Sequence, residues 1–269
     1  MRIWLPAVVL AAWLLAGVLG PLLPLDPNGI HLPLILKSPL EAGGLGYDDL
    51  GRPLLDRLLA GAQTSFLVSV WVVVLSALLG TLIGSLSGYV GGRWDRLVVH
   101  LIDLFLAFPG ILLAIALAGL LGPGIENVVF ALTVVGWVGY ARLARAQILS
   151  LKHREHVQAA IALGSGRLRI IGRHLVPLAL APLIVEATFG VASVVIAEAG
   201  LSFLGLGVQP PAASWGSMIR DGTRYLLVAP HMVLVPGLAM FLVVMSVNLL
   251  GDRLRDRLDV RGGGLRRPG

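Results

Sequence analysis

Residues 66–90 read FLVSVWVVVLSALLGTLIGSLSGYV, a run with no charged side chain from Phe66 to Val90. A helix needs ~20 mainly apolar residues to cross the hydrocarbon core of a bilayer, and a buried helix of a soluble domain rarely needs so long an uncharged stretch. Working outward, similar runs occupy Ile3 to Leu23, Leu97 to Leu121, Val128 to Leu149, Leu178 to Phe203 and Met232 to Leu250. The third is interrupted by Asp103 and Pro109, and the fifth carries Glu186 and Glu198. Six runs predict an all-α, polytopic membrane protein with six transmembrane helices. They would use roughly 120 residues, which leaves no room in a 269-residue chain for a large soluble domain.

Composition agrees. Hydrophobic residues make up 57% and charged residues 13% of the chain, against about 25% charged in soluble domains. Mean hydropathy is +0.87. These values exclude a disordered chain, a collagen-like chain and an ordinary soluble enzyme. With no cysteine, the chain has no disulfide framework, thiolate metal site or cysteine nucleophile.

The first run competes with a signal peptide. It is long for a signal core and shows no convincing small-x-small cleavage site before Pro21, so a retained first span is expected. Placing the N-terminus inside puts 16 of the 21 Lys and Arg residues on the inner side, among them Arg2, Arg266 and Arg267. Only Lys37, Arg52, Arg57, Arg220 and Arg224 remain outside. That asymmetry predicts cytoplasmic N- and C-termini. It also accounts for much of the +6 net charge without nucleic acid as a partner.

Several chemistries find no footing. No G-x-x-x-x-G-K-[ST] loop is present, so the chain does not cradle nucleotide phosphates in that manner. There is no H-E-x-x-H. His153 and His156 lie i,i+3, without an evident third ligand for a metal. Gly200-Leu201-Ser202-Phe203-Leu204 falls short of a nucleophile elbow because Leu204 stands where the second glycine belongs.

The inner connection Ser150 to Pro177 is too long for a simple turn and does not read as a loop. Glu155 to Gly164 is rich in helix formers and ends on glycine. Val157, Ala160, Ile161 and Gly164 fall on one stripe, and the small residues Ala159, Ala160 and Gly164 would let another backbone approach closely. Pro177 is expected to open the fifth span, where its missing N–H costs nothing. Periodicity supports two readings equally: a helix that docks into a partner, and an amphipathic connector on lipid headgroups.

The same segment resembles a known family. Permease subunits of ATP-binding cassette (ABC) importers carry a cytoplasmic motif E-A-A-x3-G-x9-I-x-L-P. Here Gln158-Ala159-Ala160, Gly164, His174, Val176 and Pro177 keep its spacing, with Gln for Glu, His for Ile and Val for Leu. Other stretches resemble the dipeptide, oligopeptide and nickel branch. They include Asp49-Leu50-Gly51-Arg52, Arg57 to Ala62, Asp103 to Pro109 and Gly136 to Arg142. Glu198 to Gly207 with Pro210, Pro211 and Trp215-Gly216 is the most specific, and Gly251 to Asp256 extends the likeness into the tail. The matches run from Asp48 to Arg261 and look like the C-type member of the paired permeases.

The resemblance implies a type I ABC importer permease. Its expected partners are a second homologous permease, two ABC ATPase subunits and an extracytoplasmic solute-binding protein, within the lipid bilayer of a bacterial or archaeal inner membrane. It implies no cofactor in this chain, with ATP and Mg in the partner ATPases. It divides the chain into 1–65 (first span and extracytoplasmic segment), 66–251 (a five-helix permease core with the coupling loop 150–177) and 252–269 (cytoplasmic tail). Glu155, Gln158, Ala159, Ala160, Leu163, Gly164 and Pro177 are then the coupling-loop residues, acting by packing. The substrate would be a peptide, nickel or a related small solute.

Acids inside apolar runs are functional candidates by default. Asp103 reads best as an acid near a span end, hydrogen-bonded between helices. Glu198 fits a gate and a brace equally well, and Glu186, nearer mid-span, is the best candidate to line a polar pathway. A competing class is a proton-coupled secondary transporter using these three acids as a relay, although no internal repeat of broken helices is evident. Gly205 to Arg224, broken by Gly205, Gly207, Pro210 and Pro211, is expected to be an outer loop or scoop with Trp215 at the membrane interface.

Overall fold

In a computed structural model the chain is described over residues 4–262 and is nearly all helical. Arg2, Ile3, Arg266, Arg267 and the rest of the tail beyond 262 lie outside the described residues. The helices are α1 (Trp4–Leu19), α2 (Pro39–Ala42), α3 (Leu54–Val90), α4 (Gly92–Leu106), α5 (Gly110–Leu121) and α6 (Ile125–Leu151). They continue with α7 (Glu155–Ala162), α8 (Arg167–Ile170), α9 (Val176–Phe203), α10 (Trp215–Thr223) and α11 (His231–Gly262). Among the described residues, one isolated bridge between Tyr47 and Pro53 is the extent of β pairing.

Four helical stretches are long and apolar enough to span a bilayer: α3, α6, the run from Arg167 to Phe203, and α11. A fifth exists if α4 and α5 are taken as one span, but the two meet at an angle of 87°. The apolar helix α1 has 16 residues among those described, against the ~20 of a typical span. All six apolar runs are helical among the described residues, and four of these helical stretches, or five with the bent pair, are long and apolar enough to cross a membrane.

The bend falls at Pro109, the proline that interrupts the third run, and its cause is local. Pro109 lacks an N–H and disfavours helical geometry at Phe108, so the i→i−4 ladder stops at Ala107. The Pro109 carbonyl instead accepts from the N–H groups of Leu112 and Leu113 at 3.0 and 3.2 Å, opening α5. The second span also begins earlier than expected. Helix α3 starts at Leu54, taking in Asp56 and Arg57, and Asp56 in its first turn suits the positive end of the helix dipole. Pro177 is the second residue of α9, as expected of a proline at the opening of a span, but α9 follows on from earlier helical turns. Pro177 thus lies within a continuous helical run whose turn Ile171–Leu175 is π-helical, and such wider turns absorb backbone bonds that a proline interrupts.

The chain separates into two compact units. Unit 1 comprises Met1–Trp71, Ala114–Leu132 and Val191–Leu250; unit 2 comprises Val72–Leu113, Thr133–Gly190 and Gly251–Gly269. The core of unit 1 gathers Trp13, Leu54, Trp215, Met218, Met232 and Val243. Trp13 meets Phe66 edge-on, with ring centroids 5.6 Å apart, a favoured arrangement of aromatic quadrupoles. Helix α10 corrects the loop reading of 205–224. Trp215 is 2% exposed rather than interfacial, because its Nε1–H donates to the Leu58 carbonyl at 3.1 Å and the ring fills the core.

In unit 2 one apolar cluster gathers around Ile148, Leu151, Val157, Ile170 and Leu175 and another around Val98, Ile102, Val138 and Ala141. In this unit Gly80, Gly84 and Gly88 recur every four residues along α3 and face α6. A methyl group at Gly80 would lie 2.6 Å from Tyr140 Cβ, at Gly84 it would overlap the Ala141 carbonyl, and at Gly88 it would lie 2.9 Å from the Arg145 carbonyl. Glycine thus permits the close backbone approach typical of small-xxx-small helix pairs.

Candidate functional site

Helix α7 starts where Arg154 turns extended (ψ 145°) and its carbonyl accepts from the Val157 and Gln158 N–H groups at 3.0 and 3.1 Å. The helix ends at a glycine cap. Ser165 N–H donates to the Ala160 carbonyl at 3.0 Å and Gly164 N–H to the Ile161 carbonyl at 2.9 Å. Gly164 takes φ +78°. This is a Schellman motif, and it needs a residue at ease in the left-handed region. Nothing lies within 4 Å of the position a Cβ would take there, so the constraint on Gly164 from within the chain is conformational, not steric.

The faces of α7 differ. Val157 is fully buried and Ala160 is 8% exposed; Val157 packs in the cluster of Ile148, Leu151, Ile170 and Leu175. Glu155, Gln158, Ala159, Leu163 and Gly164 are exposed, and Leu163 presents 87% of its surface. The stripe Val157–Ala160–Ile161–Gly164 is therefore split: its first half anchors α7 to the unit's own core, and Ile161 and Gly164 lie open. Gln158 Nε2 donates to the Lys152 carbonyl at 2.9 Å, tying the helix to its approach. Pro177 is exposed on the helical run beyond. An apolar side chain beside a small-residue turn, fixed from behind, can receive a protein surface but can do no bond chemistry.

The three intramembrane acids have different surroundings. Asp103, on α4, and Glu186, on α9, are exposed. Within unit 2, Glu186 Oε1 lies 3.3 Å from the position a Cβ on Gly139 would take, beside the α6 backbone. Glu198 is 1% exposed. Its Oε2 accepts from Ser65 Oγ at 3.2 Å and its Oε1 from Ser202 Oγ at 2.7 Å. These bonds link α3 to α9 within unit 1.

Two further polar constellations escape a reading of the sequence by motifs. In unit 1, Asp48 is buried and Oδ2 meets Arg52 Nε at 2.6 Å and Arg57 Nε at 3.3 Å, while Oδ1 accepts from the N–H groups of Leu50 and Arg52, both at 2.9 Å. Arg57 also donates to the Pro27 carbonyl at 3.2 Å. Burial, then the neighbouring Asp48 charge, push the Asp49 carboxyl above the ordinary aspartate range. Arg52 and Arg57, expected as outer charges of topology, hold this segment together. In unit 2, Asp95 and Arg145 form a two-bond pair. The i,i+4 spacing of Asp48 and Arg52 is a legible signal; the 50-residue separation of Asp95 from Arg145 offers none.

Known proteins resemble this chain in sequence and fold. Residues 80–261, which include α7 and its glycine cap, match the family described as "Binding-protein-dependent transport system inner membrane component". The chain is 39% identical over 259 residues to the "Probable D,D-dipeptide transport system permease protein DdpC" of Escherichia coli (strain K12), covering 96% of this chain and 87% of that one. It is 40% identical over 237 residues to the "Nickel transport system permease protein NikC" of the same strain, covering 88% and 86%. The fold is similar to a chain in an inward-facing structure of the MetNI methionine ABC transporter, with a TM-score of 0.58, 20% identity, and coverage of 76% of this chain and 97% of that one. The chain belongs to the binding-protein-dependent transport system inner membrane component family, in the branch of the dipeptide, oligopeptide and nickel permeases.

Proposed function

We propose that this multi-pass permease pairs with a second homologous permease to form the pathway of an ATP-driven importer for peptides, nickel or a related small solute. Its α7 docks an ABC ATPase. Two such ATPases hold the ATP and Mg, and an extracytoplasmic solute-binding protein delivers the ligand. In this reading the connection 150–177 and both chain ends face the cytoplasm, α1 and the bent α4–α5 pair complete six spans, 66–251 is the permease core and 252–269 a cytoplasmic tail.

The observation that carries the reading is the two-sided character of α7. Val157 and Ala160 fix the helix from behind, and Ala159, Leu163 and Gly164 stand open in a turn whose shape the Schellman bonds set. Packing alone suffices for coupling, because a rigid push on α7 needs a complementary surface and no acid–base group. Glu155 and Gln158 flank that surface. Family membership gives no support to a proton-coupled carrier built on Asp103, Glu186 and Glu198, and the Glu198 carboxyl is held by two serines.

Purification of the tagged chain from its native membrane in mild detergent, with mass spectrometry of what accompanies it, tests this. A second permease and ABC ATPases are expected. A homo-oligomer free of ATPase, reproduced after crosslinking, would overturn the proposal.

A further inference from the structure

In unit 2 the element entering the α7 connection is tied to α3 and α4 by a knot of charged and polar bonds. Arg145, near the end of α6, places Nε 2.6 Å from Asp95 Oδ1 and Nη2 2.7 Å from Asp95 Oδ2. Ser87, at the end of α3, donates its Oγ–H to the same Oδ1. Lys152, the residue after α6, donates Nζ–H to the Gly88 carbonyl of α3 at 3.1 Å. The Arg145 and Asp95 side chains are 29% and 17% exposed, so the pair is partly shielded from water. A bidentate guanidinium–carboxylate pair fixes orientation as well as distance, which a point-charge pair does not.

The knot has a direction. Helix α7 rests on α6 through Val157 against Ile148 and Leu151, and Gln158 bonds to Lys152. The Asp95 carboxylate sits in the first turn of α4, the helix that ends at the 87° break. Val98 and Ile102 add apolar contact between α4 and the Val138–Ala141 stretch of α6, but apolar surfaces can slide, whereas a two-bond fork has one register.

We propose that the Asp95–Arg145 fork, steadied by Ser87, is the joint that passes displacement of α7 through the end of α6 into α4. These are positioning residues for transport. The proposal rests on the reading of α7 as the ATPase-contacting helix.

The chain has no native cysteine, so single reporters are clean. Spin labels on His153→Cys, at the approach to α7, and Leu104→Cys, on α4, are to be read in the complex purified from native membranes. Spectra are taken without nucleotide and after trapping with Mg-ATP and vanadate. With the fork intact, both labels are expected to respond. With Asp95→Asn the response at 153 should persist while that at 104 falls about fivefold, the lower range of site-to-site coupling. Arg145→Lys, which keeps the charge but loses the fork, should show the same split and covers the case in which Asp95→Asn does not assemble. The double reversal Asp95→Arg with Arg145→Asp should restore part of the response at 104, which a general loss of stability would not allow. An undiminished response at 104 in both single variants would overturn the proposal. No response at 153 with the fork unaltered would instead overturn the reading of α7 beneath it.

Discussion

The polar residues of unit 1 and the loop helix of unit 2 are built on opposite plans. In unit 1, Asp48 closes on Arg52, Arg57 and two backbone N–H groups, Glu198 closes on Ser65 and Ser202, and Ser214 and Ser217 cap each other at the start of α10. In unit 2, α7 is satisfied behind and at its ends, while Ala159, Leu163 and Gly164 face outward without a covering side chain. Groups of the first kind stabilise one arrangement of the fold. A surface of the second kind contributes little to folding, so its shape is free to serve a partner.

Substitutions should separate the two plans by what they damage. The largest loss is expected for Asp48→Ala, which leaves Arg52 and Arg57 buried without their shared carboxylate. Stranding a buried charge costs about 3–5 kcal/mol, and the purified protein should melt well below the parent in detergent. Gly84→Leu should come next. Its side chain must enter the α6 backbone at Ala141, and overpacking of this kind costs about 3 kcal/mol, read as lost membrane accumulation and a lowered Tm. Glu198→Ala strands two serine hydroxyls, at about 2 kcal/mol. If the carboxyl is a brace, Glu198→Gln should retain most of the stability and of the ATP-dependent function.

Gly164→Trp sharpens the comparison from the other side. The side chain projects into open space, and the left-handed backbone costs roughly 1–2 kcal/mol, so the protein should still insert and accumulate. Transport by the assembled complex should nevertheless be uncoupled from ATP hydrolysis, a functional loss out of proportion to the change in Tm. Normal transport by this variant would remove α7 from the coupling pathway.

The smallest effect is expected at Glu41. Its carboxylate accepts from Ser38 N–H and Oγ at 2.9 and 3.0 Å, and these bonds, with Lys37 nearby, hold its pKa below the usual glutamate value of 4.5. A lowered carboxyl pKa contributes stability that is present above the ordinary value and lost as pH falls through the folded one. Hydrogen exchange over 38–43 should therefore quicken only in that acid window, leaving the Asp48 knot unchanged.

The apolar runs, the helix at 155–164 and its glycine stop are legible in the sequence because each is a local pattern: length, periodicity and one backbone conformation. The same patterns mark α7 as a docking candidate. Where expectation and structure part, the deciding contact is distant. Trp215 is as suited to an interface as to a core until Leu58 and Trp13 are placed beside it. Asp95 and Arg145 lie far apart in the chain, and only the fold brings them together. Proline at 109 marks the place of the break, but a proline alone does not spell out the 87° angle. Gly80, Gly84 and Gly88 do carry a signal in their four-residue spacing, hidden within a run whose length alone assigns it to the bilayer.

The central claim is that the open face of α7 belongs to an ATPase. Its most direct test is Ala159→Cys carrying a short photo-activated crosslinker, irradiated in native membranes and analysed by mass spectrometry. The account predicts one dominant adduct, between this chain and an ABC ATPase subunit, suppressed by Gly164→Trp. Adducts only to lipid, or only to a second copy of this chain, would contradict it.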